Sequence, residues 1–452
     1  MTQGSRDVTS RKEKVGYALG DAACNLYWKS AELFLLFFYT EVFGLSAAQA
    51  GTMFGVTRIF DAISDPVMGL IADRTLTADG RFRPYLRWFA LPMAVAGVLT
   101  FTTPDLAPGA KLVYAYVTYT LMLIVYTAIN IPYSALMGVM SPNPEERTRI
   151  SSYRFAGAFV GTLAVQLSTL ELVTILGQDD AAAGWQRTMV LFGVVAVAMF
   201  WACFRSTRER VAVLLLSTSS RGLRPALRAL RRNRPWLVLM VASVLILAAF
   251  WMRGAATIYY FEYLVGDASL AASFLVVGSL ASAGGIAATS PLARRLGKRN
   301  LLAGSLLGVA LTYLAMLWVP PGAVMLVFVL NALANLLLGP TPPILWSMFA
   351  DTVDYGEWVD GERRAGLVFS ASMFAIKLGG ALGGLATGWV LAFTGYAAGI
   401  SQSADAKLGI LLLFTALPAG AFAAAAFVTR RGYPLQTTLL EQIERELEQR
   451  RR

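Results

Sequence analysis

No histidine occurs anywhere in the 452 residues. That absence removes imidazole proton relays and His-ligated metals from consideration, so any proton carrier has to be a carboxylate or, second, a lysine. Cysteine is almost as scarce. Cys24 and Cys203 are the only two; both sit in apolar stretches far apart, which excludes a disulfide framework and a thiolate cluster. Charged residues make up 15% of the chain against 56% hydrophobic, where a soluble protein would carry about a quarter charged. Missing too are a Walker motif and a dinucleotide fingerprint in a strand–turn–helix context, so no nucleotide site, ATP drive or cofactor is expected. No nucleophile–base pair or cluster of metal ligands points to an enzyme.

What the chain has instead is a succession of apolar blocks, each about long enough to cross a bilayer core. The expected spans lie near 14–43, 47–73, 85–103, 110–140, 149–176 and 184–204, then near 236–264, 269–291, 299–318, 322–349, 365–395 and 406–429. The formal net charge of +11 does not indicate nucleic acid, because the cations crowd alternate loops and the two ends. Nine arginines fall from Arg205 to Arg234, with others at Arg74, Arg81, Arg83, Arg87, Arg294, Arg295, Lys298, Arg299, Arg430 and Arg431. The positive-inside rule makes those loops and both termini cytoplasmic. The polar N-terminus runs into the first span with no small-residue cleavage pattern, so no removable signal peptide is expected.

Six spans, a basic linker over 205–235 and six more spans suggest a parallel duplication: an N-terminal bundle over 1–204, a C-terminal bundle over 236–430 and a charged tail over 431–452. The linker carries Ser217–Ser220 and an amphipathic stretch (Leu223, Leu227, Leu230) suited to a membrane surface. The tail reads as a solvated helix without an assigned role.

Charges at membrane depth cost several kcal/mol unless they pair or line an aqueous cavity, which makes them functional candidates. Span 2 holds Arg58, Asp61 and Asp65 at spacings of three and four, on one helical face. Two such carboxylates can hold a monovalent cation or share a proton; as a structural alternative, Asp65 and Arg58 would pair and gate the cytoplasmic side. Pro66 follows at once and removes a backbone donor. Span 1 places Asp21, Asn25, Lys29 and Glu32 on one stripe, where Lys29 and Glu32 are expected to neutralise each other and Asn25 suits a sugar hydroxyl. Span 4 brings Tyr126 and Asn130 onto one face, beside Thr127, and span 5 opens with Arg154, able to bind two hydroxyls at once. In the second half stand Arg253, Trp346 and Lys377; a Trp face is a platform for a pyranose, though interfacial Trp is commoner. Gly379, Gly380, Gly383 and Gly384 read as close helix packing.

The loop GLIADRTLTADGRFRPY, Gly69 to Tyr85, resembles the signature loop of the major facilitator superfamily. That resemblance implies an all-α membrane protein with twelve transmembrane helices in two six-helix bundles that rock around a central site. GYALGDAACN (Gly16–Asn25), RIFDAISDP (Arg58–Pro66), NIPYSAL (Asn130–Leu136), SSYRFAG (Ser151–Gly157) and MFADTVDYGEW (Met348–Trp358) further resemble the glycoside–pentoside–hexuronide:cation symporters within it. The likeness implies a monomeric carrier in the bacterial inner membrane that imports a sugar, glycoside or hexuronide with H⁺ or Na⁺. Asp61, Asp65 and Thr127 would form the cation site, the only metal position being Na⁺ at the two aspartates. Asn25, Tyr126, Asn130, Arg154, Trp346 and Lys377 would surround the sugar, and Arg58, Asp73, Arg74, Asp351 and Asp354 would gate. The melibiose carrier has aspartates where this chain has Asn25 and Asn130, which favours H⁺ over Na⁺. The alternatives are a carrier of another amphiphile or an organic anion, anchored by Arg154, Arg253 and Lys377, and a sugar sensor that does not transport.

Overall fold

The computed structural model describes residues 9–451 except 142, 211–229, 321, 362 and 363. Most of the basic linker, with Ser217–Ser220, Leu223 and Leu227, lies outside the described residues. The chain separates into two compact units, Met1–Ser217 and Thr218–Arg452.

The first unit comprises α1 (Arg11–Phe37), α2 (Ala47–Arg74), α3 (Arg83–Trp88), α4 (Ala90–Thr100), α5 (Pro108–Met140), α6 (Pro144–Gly177) and α7 (Ala181–Ser206). The second comprises α8 (Arg234–Tyr260), α9 (Leu270–Leu296), α10 (Lys298–Met316), α11 (Val324–Leu338), α12 (Thr341–Asp360), α13 (Ala365–Phe393), α14 (Ala404–Phe414), α15 (Ala416–Gly432) and α16 (Thr437–Arg451). Apart from an isolated bridge between Thr77 and Gly80, the described residues are helix and connection. Nine helical stretches among them are long and apolar enough to cross a membrane. Two long helices outside that set, α1 and α2, carry the polar stripes, and those charged side chains lower their mean hydropathy.

Three expected spans are interrupted. The third breaks at Phe89 into α3 and α4, the tenth at Gly339–Pro340 into α11 and α12, and the twelfth at Thr415 into α14 and α15. The helix of the tenth expected span runs on past 349 to Asp360, because the apolar count that ended the span at 349 does not register an amphipathic extension. Around Pro66, α2 runs on without interruption to Arg74.

The two units repeat certain devices. Each first helix ends in a π-helical turn, Phe38–Phe43 or Phe261–Val265, closed by a glycine at positive φ: Gly44 (88°) and Gly266 (86°). That left-handed backbone is open to glycine at no steric cost. Each first helix also lies along the helix of the fifth expected span of its half, α1 on α6 and α8 on α13. A Cβ on Gly157 would come within 2.2 Å of the Ala18 carbonyl, and one on Gly383 within 2.5 Å of that of Ala248. Main chains this close exclude any larger residue, as the glycine spacing anticipates.

At the end of the first unit that carries both its basic loops and its N-terminus, side chains tie the helices together. Glu146 is 3% exposed, accepts from the Thr9 amide (3.1 Å) and hydroxyl (2.5 Å) and pairs with Lys14 at 2.6 Å. Glu13 pairs with Arg210 at 2.9 Å. The Glu209 carboxylate accepts from the backbone amides of Arg81, Phe82 and Arg83, the shortest contact being 2.8 Å from Phe82. It therefore caps α3 from beyond the end of α7. Arg83 donates back to the Phe204 carbonyl at 2.7 Å.

The tail departs from expectation. α16 is a helix, but Ile443 and Leu447 are buried and the Trp358 indole N–H donates to Glu446 at 2.7 Å. Its apolar stripe is docked on α12, so the tail is only solvated on its charged face.

Candidate functional site

One turn separates Asp61 from Asp65 on α2, and Asp61 is 1% exposed. α5 lies against α2 and brings the Thr127 hydroxyl 3.2 Å from Asp61 Oδ1 and 3.1 Å from Asp65 Oδ1. A hydroxyl has one hydrogen, so it can donate to one of these carboxylates at a time. One buried and one half-buried carboxylate sharing one donor form an acidic cradle of three side chains, which a proton or a small monovalent cation would balance. Among the described residues no group of three or more acidic, cysteine or histidine side chains forms a metal cluster.

A turn before Asp61, the Arg58 guanidinium lies over the Trp28 ring, 4.4 Å from its centroid, and Trp28 in turn stacks on Tyr126 at 4.9 Å. Arg58 itself is 5% exposed. Three helices thus contribute one rung each to a ladder beside the carboxylates. Trp28 was not singled out in the sequence, although it stands three residues after Asn25 and seven after Asp21, on the same face.

Beyond Tyr126, α5 turns Asn130 and Ser134 the same way at intervals of four. Tyr126 and Asn130 are half-buried and neither side chain makes a hydrogen bond among the described residues. Arg154 donates to Asp21 at 3.0 Å and to Ser134 at 3.2 Å, with its guanidinium 5.1 Å from the Tyr133 centroid. Tyr133 is fixed in turn: it stacks on Tyr17 at 4.5 Å, and each hydroxyl donates to the other residue's carbonyl, at 3.0 and 2.7 Å. Asn25 donates to the Asp21 carbonyl at 2.9 Å and accepts from Thr162 at 3.4 Å. Lys29 and Glu32 form an ion pair at 2.7 Å. The first unit therefore assembles Asn25, Tyr126, Asn130 and Arg154 around a framework whose own charges, Asp21 and Arg154, neutralise each other.

In the second unit Lys377 is half-buried on α13, and Trp346, 42% exposed on α12, stacks on Phe369 at 6.0 Å. Asp351 pairs with Lys298 at 2.7 Å and Asp354 is half-buried. Arg74 is exposed, and the Asp73 side chain lies outside the described residues. Arg253 is enclosed. It is 6% exposed, donates to the Phe414 carbonyl at 2.5 Å and lies over the rings of Tyr313 (3.9 Å) and Phe414 (4.0 Å). A cation so committed to its own unit is a framework residue and not an anchor for a mobile anion.

With this geometry in place, the chain can be set beside known proteins. A family model described as MFS/sugar transport protein matches residues 16–437. The putative glycoside/cation symporter YagG of Escherichia coli (strain K12) is 38% identical over 96% of this chain and 94% of its own. The inner membrane symporter YicJ of the same strain is 38% identical over 99% and 96%. Among solved structures, a D-xylose-proton symporter superposes with a TM-score of 0.65 at 12% identity, over 94% of this chain and 98% of that one, which speaks for the fold alone.

Proposed function

Because the chain belongs to the MFS/sugar transport protein family, we propose that it imports a sugar or glycoside together with a monovalent cation by alternating access. It is a multi-pass transporter of the bacterial inner membrane and not an enzyme. The proposal counts α1, α2 and the α3–α4 pair as spans beside the nine apolar stretches, giving twelve, six on each side of the basic linker, with both termini cytoplasmic and the protein acting as a monomer.

The observation that carries the coupling is the contact of Thr127 with both Asp61 and Asp65. The coupling cation sits there, and we favour H⁺ over Na⁺. Asp21 is already neutralised by Arg154, and Asn25 and Asn130 add no charge, so Asp61 and Asp65, joined by the Thr127 hydroxyl, are the carboxylates on which we place the cation. The sugar is met by Tyr126 and Asn130, whose side-chain polar atoms have no protein partner among the described residues, by Asn25 and Arg154, and by Lys377 and the Trp346 ring. Cation and sugar stabilise the same state, with a coupling on the order of 1–3 kcal/mol. Arg58, Asp73, Arg74, Asp351 and Asp354 take part in closure.

The test is thermal stability of the purified protein against a panel of glycosides, uronides and organic anions, with and without Na⁺, at two pH values. A ligand that binds only the folded state raises stability by mass action. Stabilisation by one sugar class that shifts with pH supports a proton-coupled sugar carrier. Enhancement by Na⁺ alone reassigns the cation, and stabilisation by organic anions but no sugar overturns the substrate.

A further inference from the structure

A pocket with basic and apolar lining lies in the C-terminal unit, where α9, α10 and the segment leading into α16 meet. It has a volume of about 500 Å³ and is lined by Arg294, Lys298 and Arg299 together with Leu296, Leu435 and Leu440. Its cations exceed its anions. Lys298 is balanced by Asp351, but Arg294 and Arg299 have no carboxylate partner among the described residues. Arg299 donates weakly to the Tyr433 carbonyl at 3.4 Å and through both terminal nitrogens to the Gln436 amide oxygen at 3.0 and 3.2 Å, while its Nε–H is buried without an acceptor. Arg295, Arg430 and Arg431 add further positive charge close by in the chain. Among the described residues Arg430 donates to the neutral Asn300 amide oxygen and to no carboxylate.

The electrostatics are unfavourable without an anion. Lys298 and Arg299 occupy the first turn of α10, where the helix dipole already places positive charge and where Asp or Glu would be stabilising. Simple positive-inside charge would spread over exposed loops. Here it converges on a cavity, around one guanidinium with a buried unsatisfied donor, and the cavity also has an apolar side. Leu296 is 51% exposed at its mouth, so a ligand that presents a phosphate inward and hydrocarbon outward fits both halves of the lining. Basic pockets at the cytoplasmic ends of membrane helices suit anionic lipid headgroups.

We infer that this pocket is a binding site for a phosphate-bearing anion and that its occupant is the headgroup of an anionic phospholipid, held by Arg294 and Arg299. The leucines carry the glycerol and the first acyl methylenes, and the lipid ties α9, α10 and the approach to α16 into one unit.

The full chain, in a zwitterionic detergent, is titrated with dioctanoyl phosphatidylglycerol, dioctanoyl phosphatidylcholine or inorganic phosphate while its melting temperature is followed. Phosphatidylglycerol alone should raise it by several degrees. Arg294→Gln, an exposed side chain with no bond to lose, should weaken the apparent affinity about tenfold and leave the lipid-free melting temperature unchanged; Arg294→Gln with Arg299→Gln should abolish the shift. An equal rise with inorganic phosphate would replace the lipid by a free anion. An equal rise with phosphatidylcholine, or an undiminished rise in the double variant, would overturn the site.

Discussion

The guanidinium of Arg253 donates to the main-chain carbonyl of Phe414, the acceptor that Pro418, four residues further on, has no N–H to reach. A proline inside a helix orphans the carbonyl of residue i−4, and in the apolar interior an orphaned carbonyl is costly. α8 thus supplies from outside the bond that the twelfth span lacks, at the point where α14 gives way to α15. Arg253→Met should destabilise the protein by about 1–3 kcal/mol, the range for an unsatisfied buried acceptor. Adding Pro418→Ala, which restores the amide, should recover much of that. A double variant no more stable than Arg253→Met in thermal unfolding would refute the assignment.

Asp61→Asn should abolish accumulation of substrate against a gradient while leaving exchange across the membrane. The amide keeps the shape of the cradle and removes the charge a coupled cation needs. Accumulation and counterflow in proteoliposomes separate the two, and undiminished accumulation would end Asp61's role in coupling.

Thr127 offers a graded test of the same cradle. Thr127→Ser keeps the hydroxyl between the two carboxylates and should couple nearly normally. Thr127→Val removes it at nearly constant volume and should weaken cation affinity about tenfold, the equivalent of one hydrogen bond of about 1.4 kcal/mol. Equal behaviour of the two variants in a cation titration would show that the hydroxyl contributes packing only.

Asn130→Asp returns a fixed negative charge to the face of α5 next to Thr127. It should make sugar uptake stimulated by Na⁺ and less dependent on the pH gradient. Uptake measured with each ion gradient in turn decides this, and an unchanged ion preference would remove Asn130 from the cation's surroundings.

The Glu146 clasp sets an acid limb to stability. Burial alone would raise the carboxylate's pKa, but hydrogen bonds from Lys14 and Thr9 hold it below the ordinary range. A group depressed in the folded state stabilises above its unfolded pKa, and that contribution is lost as pH falls through the folded one. Glu146→Gln should therefore be less stable at neutral pH, by roughly the 1.5–3 kcal/mol of hydrogen bonds to a charged group. The difference should narrow only below about pH 4.5. Melting curves at pH 7 and pH 3.5 that keep a constant gap would rule the clasp out.

The apolar blocks revealed where helices run: α2 was expected over 47–73 and ends at Arg74. They could not reveal the breaks at Phe89, Gly339–Pro340 and Thr415, since hydropathy averages composition and a break is a local failure of main-chain hydrogen bonding. Asp61 and Asp65 were legible from spacing alone, whereas Thr127 entered through resemblance, because nothing in α5's own pattern says which helix faces it. Trp28 was hidden among the aromatics of α1, where its ladder with Arg58 and Tyr126 depends on three helices meeting. The docking of α16 escaped for a similar reason: Leu440, Ile443 and Leu447 make a stripe, but a stripe does not name its partner.

Glu209 gives the first unit a mechanical character. With three amides of the α2–α3 connection on one carboxylate, and Arg83 fastened to the end of α7, α3 and α7 meet at their ends like struts of a truss at one riveted node. A node of this kind holds the connection that follows α2 against the end of α7. That corner of the first unit is thus pinned by one acid and one base, each through a side chain bonded to main chain.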